Sequence, residues 1–157
     1  MTAPSDLDVT AVTLRIKAMD FLSRREYSYQ ELAARLVTKY ALTADQLLLL
    51  DATLDALVND GLLSDQRFAE SLVQVRIRRG QGPQRIRQEL RERGIGNELA
   101  TAALQNAEAD WPQLARDVAK KKFGNEAATD VRQQVRRRRF LQYRGFDAEQ
   151  INFALDP

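Results

Sequence analysis

Cysteine and histidine are both absent from this 157-residue chain. Without cysteine there is no disulfide framework, no thiolate nucleophile and no cysteine-based zinc site. Without histidine the commonest general base at neutral pH and the commonest metal ligand are missing as well. What remains of hydrolytic chemistry is paired carboxylates or carboxylate-bound Mg²⁺. Aromatic residues are scarce at 7%, and there are only 7 Gly and 4 Pro. No window approaches the ~18 apolar residues of a membrane span, and no basic segment precedes an apolar stretch at the N-terminus. The chain is therefore expected to be soluble and cytoplasmic. Ala, Leu, Arg, Gln and Glu are plentiful, a mixture that favours helix because straight-chain residues lose little rotamer freedom there.

The net charge of +2 conceals a division. Residues 1–63 hold 6 Lys and Arg against 9 Asp and Glu, whereas residues 64–157 hold 18 against 13. Two stretches carry most of the excess: 7 Arg against 2 Glu in residues 76–93, and 10 Lys and Arg against 3 acids in residues 116–144. Such blocks mark an electrostatic footprint for a polyanion or an acidic protein surface, or simply a solvated helix face.

A repeat runs through the chain. Leu90-Arg91-Glu92-Arg93-Gly94-Ile95 returns 51 residues later as Leu141-Gln142-Tyr143-Arg144-Gly145-Phe146, and a worn copy, Leu36-Val37-Thr38-Lys39-Tyr40-Ala41, lies 54 residues upstream. Each copy reads as a helix end: a cation beside the carbonyl-rich terminus, Gly in the left-handed position, then an apolar residue packing back. Tyr40 replaces the Gly in the first copy, so that helix must end differently. Helix starts agree with the repeat. Ser28-Tyr29-Gln30-Glu31 fits a capping box, Pro83 sits at a first helical position, and Asp130 caps a helix whose apolar pair is Val131 and Val135. Thr43, Ser64, Asn97, Asp110 and Asp147 open further helices, and a first helix lies near Ala11–Ser23. The expected fold is all-α, three tandem three-helix repeats at 10–63, 64–107 and 108–157. Units of roughly 50 residues are too small for a comfortable lone core, so they should stack. Residues 1–9 carry no pattern and are expected to be disordered.

The run Asp60-Gly61-Leu62-Leu63-Ser64-Asp65-Gln66-Arg67-Phe68-Ala69, through Arg76, Gly80, Gly82-Pro83, Ile86 and Leu90 to Arg93-Gly94-Ile95, resembles the RecX family signature. Lys121-Lys122-Phe123-Gly124 and Phe140–Phe146 are similar to that family's third repeat. The resemblance implies a cytoplasmic bacterial modulator of the RecA recombinase, acting in DNA repair, recombination and control of the SOS response. Such proteins bind RecA and its filament on single-stranded DNA and limit filament extension, ATP hydrolysis and strand exchange. The resemblance also implies an elongated, curved, right-handed or solenoid-like array that acts without catalysis. The matching expectations are no cofactor, no metal, no membrane, a monomeric chain and weak direct DNA binding.

The arginines are the best candidates for contact. On the helix after Pro83, Ile86 and Leu90 define a buried line, and Arg85 and Arg87 diverge from it by about 100° on either side. Arg87 and Arg91 stand as like charges at i,i+4, which helps no isolated helix and suggests an outside partner. Glu89 and Arg93 make a favourable i,i+4 pair. Arg78 lies on the polar side of the preceding helix with Gln74, Arg79 joins it in the basic surface, and Arg76 flanks the apolar face. Arg136, Arg137, Arg138 and Arg139 sweep about 300° around their helix, so they cannot all face one ligand. Arg138 falls on the Val131–Val135 line, which leaves Arg136, Arg137 and Arg139. Lys120, Lys121 and Lys122 spread in the same manner and complete the set. Trp111 and Phe123 suit either base stacking or core. Gly80-Gln81-Gly82-Pro83 reads as a helix–turn–helix joint; it lacks the strand and Lys-Ser/Thr of a phosphate loop. The alternatives are a sequence-independent DNA-binding helical module acting without RecA, and a Mg²⁺-dependent nuclease built on Asp51 and Asp55.

Overall fold

The computed structural model describes residues 9–157. Residues 1–8 of the segment expected to be disordered therefore lie outside the described residues, while Val9 is half-buried against the first core. Among the described residues there are nine helices and no strand: α1 (Ala11–Leu22), α2 (Tyr29–Tyr40), α3 (Ala44–Asn59), α4 (Asp65–Arg78), α5 (Pro83–Glu92), α6 (Asn97–Asn106), α7 (Trp111–Phe123), α8 (Val131–Tyr143) and α9 (Ala148–Leu155). None of them is long and apolar enough to cross a membrane.

Side-chain caps set most of the starts. Thr43 and Asp147 form complete capping boxes with Gln46 and Gln150, and Asp110 and Asp130 accept from the main-chain N–H three residues on. Two expectations are corrected. Ser28 caps the Glu31 N–H, but no box closes, because the Glu31 carboxylate turns to Arg25 and Arg93. The sixth helix is capped by Gly96, with Asn97 already inside it and no side-chain cap bond. The worn copy ends one residue late, with Ala41 taking the left-handed conformation at φ 47°.

The chain forms two compact units. One runs to Ala69 and includes Arg93–Ile95; the other comprises Glu70–Glu92 and Gly96–Pro157. The first is built on a leucine core of Leu14, Leu32, Leu36, Leu50, Leu54, Leu57 and Leu63, closed by Ala18 and Tyr27. In the second, α7, α8 and α9 enclose Ala115, Ala119, Leu141, Phe146, Ile151 and Ala154, where the alanines set how closely the helices pack.

The recurring turn is a joint as well as a helix end. In the first unit, Ser28 Oγ donates to the Arg93 carbonyl at 2.6 Å, and Gly94, at φ 85°, lies so close to Gln30 that a Cβ there would sit 2.7 Å from Gln30 Cβ. In the second, the Gly82 N–H donates to the Arg144 carbonyl at 2.7 Å and the Gln84 N–H to the Gly145 carbonyl at 3.0 Å. Ser28 and Gly82 are 54 residues apart, Arg93 and Arg144 are 51 apart, so the repeat offsets carry one joint onto the other. The two glycines of Gly80-Gln81-Gly82-Pro83 are thereby used for close packing, Gly82 on the Gly145 peptide and Gly80 on Val118.

The phase of α8 differs from expectation. Val131 and Val135 are 72% and 40% exposed, and the buried residue of this helix is Leu141. One turn before the shared leucine stand Leu32 in the first repeat, Ile86 in the second and Arg137 in the third. Leu32 and Ile86 are fully buried. The two valines imitate an apolar stripe, but the repeat places Arg137 on the core side.

Candidate functional site

Arginines in the two units have different partners. In the first, Arg15 pairs with Asp60 at 2.8 Å, Arg24 with Asp20 at 3.3 Å, Arg25 with Glu31 at 2.8 Å and Arg67 with Glu26 at 3.1 Å. Arg93 also reaches Glu31. In the second unit Arg76 grips Glu89 through Nε and Nη2 at 2.7 and 2.8 Å, half-buried on both sides. Hydrogen bonding to Glu89 raises the Arg76 pKa against the opposing pull of burial. Arg76 is thus occupied within the fold. From Arg78 onward, Arg93 apart, no cation forms an ion pair among the described residues.

These uncompensated cations fall into three groups. Arg78, Arg79, Arg91, Lys121, Arg132 and Arg139 are exposed, and their side chains make no hydrogen bond or ring contact among the described residues. A second group serves the fold. Arg85 donates to the Tyr143 carbonyl at 3.3 Å and stacks over that ring, and Arg87 donates to Thr101 Oγ1 at 2.9 Å. Arg144 donates to the Arg79 carbonyl at 3.0 Å and lies 5.2 Å over Phe140, Arg136 lies over Phe123, 5.7 Å from the ring centre, and Lys122 lies over Phe140 at 5.7 Å. Phe123 meets Phe140 edge-on at 5.3 Å, which assigns this ring to packing; Trp111 is half-buried.

The third group lines a cleft of about 590 Å³ among α7, α8 and the end of α9. Lys120 and Arg137 come together there with Arg116 and Arg138. Arg116 Nη2 donates to the Phe153 carbonyl at 2.8 Å, Arg137 Nη1 to the Glu126 carbonyl at 2.9 Å, and Arg138 Nη2 to Asn152 Oδ1 at 2.6 Å. Sequence reasoning misses Arg116 and sets Arg138 aside on the Val131–Val135 line. The signal that finds the cleft is the repeat itself, which aligns Arg137 with two buried aliphatic residues.

The acidic pair of the first repeat has a local explanation. Tyr29 Oη donates to Asp55 Oδ1 at 2.9 Å and to the Asp51 carbonyl at 3.3 Å. Burial first, then the bond to Asp55 and the charges of Asp55 and Asp51, push the Tyr29 hydroxyl up to about 12. Among the described residues no group of three acidic side chains is placed to hold a metal ion.

The family model described as RecX, second three-helix domain, matches residues 64–104, and that of the third three-helix domain matches residues 108–155. The chain belongs to the RecX family. Regulatory protein RecX of Pseudomonas syringae pv. tomato is 40% identical over 148 residues, covering 94% of this chain and 92% of that protein. Its counterpart in Chromohalobacter salexigens is 42% identical over 143 residues, covering 91% of each. RecX from Lactobacillus salivarius, solved by crystallography, superimposes with a TM-score of 0.73 at 20% identity, covering 92% of this chain and 93% of that one. A second crystal structure of a regulatory protein RecX gives 0.77 at 21% identity, over 94% and 72%. These two likenesses establish the RecX helical-repeat fold here.

Proposed function

We propose that this chain regulates the RecA recombinase, binding RecA and its filament on single-stranded DNA and thereby limiting filament growth, ATP hydrolysis and strand exchange. The observation that carries this reading is identity near 40% along almost the whole length of proteins named as regulatory protein RecX. The basic residues of the second and third repeats supply a physical means. Arg78, Arg79 and Arg91 project exposed guanidinium groups with no carboxylate among the described residues neutralising them, a form suited to phosphate and carboxylate alike. The protein acts by binding, as a monomer in the cytoplasm, with weak direct affinity for DNA and no catalytic residue. Its modules divide at 10–63, 64–107 and 108–157.

RecA-catalysed ATP hydrolysis on single-stranded DNA, with this protein added substoichiometrically, tests the proposal. Hydrolysis should fall well before one molecule is present per RecA. Unchanged hydrolysis, together with tight binding of the isolated protein to DNA, would favour the DNA-binding module that acts without RecA. The nuclease reading is disfavoured by the Tyr29 hydroxyl, which already engages the Asp55 carboxylate.

A further inference from the structure

We propose that the cleft among α7, α8 and the end of α9 is a binding site for a phosphate-bearing ligand of about nucleotide size. This goes beyond RecA regulation and does not depend on it. Four observations support it independently of sequence similarity.

The cleft lies where the repeat is broken at one residue. Where the first two repeats bury Leu32 and Ile86, the third has Arg137, which is half-buried and lines the opening. A core position given to arginine loses apolar burial and must desolvate a charge, so the substitution opposes stability. Second, three guanidinium groups are already held in place by neutral acceptors: the carbonyls of Phe153 and Glu126 and the amide of Asn152. Arg116 also lies 4.0 Å over the Phe153 ring, and Arg137 5.3 Å over Phe123. Such contacts orient a planar cation without cancelling its charge.

Third, the charge in the cleft is unbalanced. Arg116, Lys120, Arg137 and Arg138 face it, against Glu126 and Asp156, and no ion pair forms among these six. Fourth, its volume of about 590 Å³ lies within the range of small-ligand sites. Ala119, Ala154 and Leu155 offer an apolar wall beside the cations, so the ligand class combines phosphate with an organic portion. Guanidinium forks match phosphate oxygens in pairs, which a single lysine does not. The phosphate can belong to a free nucleotide or to a strand of nucleic acid.

Calorimetric titration of the full-length protein, without RecA, distinguishes these sources. The probes are inorganic pyrophosphate, deoxythymidine triphosphate and a short oligothymidylate, applied to the parent, Arg137→Leu and Arg137→Lys. Arg137→Leu restores the residue type of the other repeats and should melt at or above the parent temperature. It should weaken pyrophosphate and nucleotide by about tenfold or more, with Arg137→Lys in between. A weakening confined to the oligothymidylate would support the site and assign its phosphate to a strand. Should Arg137→Leu melt lower than the parent, Arg116→Gln at unchanged helicity decides in its place. Equal affinity of parent and variants for all three probes, or no binding of any, overturns the proposal. That failure would leave the RecA reading standing, since its test is inhibition of RecA hydrolysis.

Discussion

Tyr29 shows what a single residue contributes and when. Its hydroxyl is held by Asp55 and raised to about 12, whereas an unfolded tyrosine titrates near 10. Between those values the folded chain keeps a proton that the unfolded chain has released. Stability therefore falls as pH rises from about 10 toward 12, and the contribution is complete below that window. Tyr29→Phe should flatten this part of the curve, measured as Tm against pH; a slope identical to the parent's would show that Tyr29 does not carry it. The sequence makes Asp51 and Asp55 visible as an i,i+4 pair but not the tyrosine that meets them from another helix. Arg76 teaches the same point. Helical spacing offers Glu89 to Arg93, and only the packing of α4 against α5 brings Glu89 to Arg76. Interactions within one helix are legible from spacing; those between helices depend on how the helices cross.

At the scale of elements, the turns are the most legible part of the chain. The Leu-x-x-Arg-Gly pattern locates the ends of α5 and α8, and Ser, Thr and Asp locate most of the starts. What the pattern does not disclose is that each Arg-Gly turn is also a docking surface. Gly145 has φ 99°, and a Cβ on it would stand 2.4 Å from Arg85 Cβ; a Cβ on Gly61, at φ 74°, would meet nothing within 4 Å among the described residues. Substituting alanine separates the two demands. Gly61→Ala should cost about 1–2 kcal/mol, the left-handed penalty alone. Gly145→Ala adds a clash that forces backbone apart and should cost about 2–5 kcal/mol. Urea denaturation of both variants measures the difference, and equal midpoints would mean the joint is not tightly packed. The phase of α8 is not legible for a related reason. Val131 and Val135 satisfy helical periodicity, but burial follows the repeat, which places Arg137 and Leu141 on the core side. An apolar stripe read from one helix loses to a register fixed by its neighbours.

Across the whole molecule, charge is arranged by pairing as much as by number. Among the described residues, the arginines of the first unit are largely neutralised by carboxylates, while those from Arg78 onward, Arg93 apart, are not. Sequence composition shows the imbalance between 1–63 and 64–157 but not which cations are held within the fold. Arg85 and Arg87 illustrate the difference: helical spacing leaves both available, yet both are half-buried and bonded to Tyr143 and Thr101. Replacing them would disturb packing together with binding. Arg78 and Arg79 are the cleaner pair, exposed and without side-chain partners among the described residues. Arg78→Ala with Arg79→Ala should leave Tm nearly unchanged, because exposed substitutions away from special interactions fall within about 0.5 kcal/mol. If these two side chains neutralise phosphates of single-stranded DNA, binding should weaken most at low salt. The slope of log K against log salt should then become shallower by up to about 1.4, at about 0.7 for each phosphate no longer neutralised. Fluorescence anisotropy across a salt series reads both quantities. A weakened K with an unchanged slope would mean that these arginines act on something other than phosphate; acidic groups on RecA would then be the surface to test, by the same variant's inhibition of RecA hydrolysis.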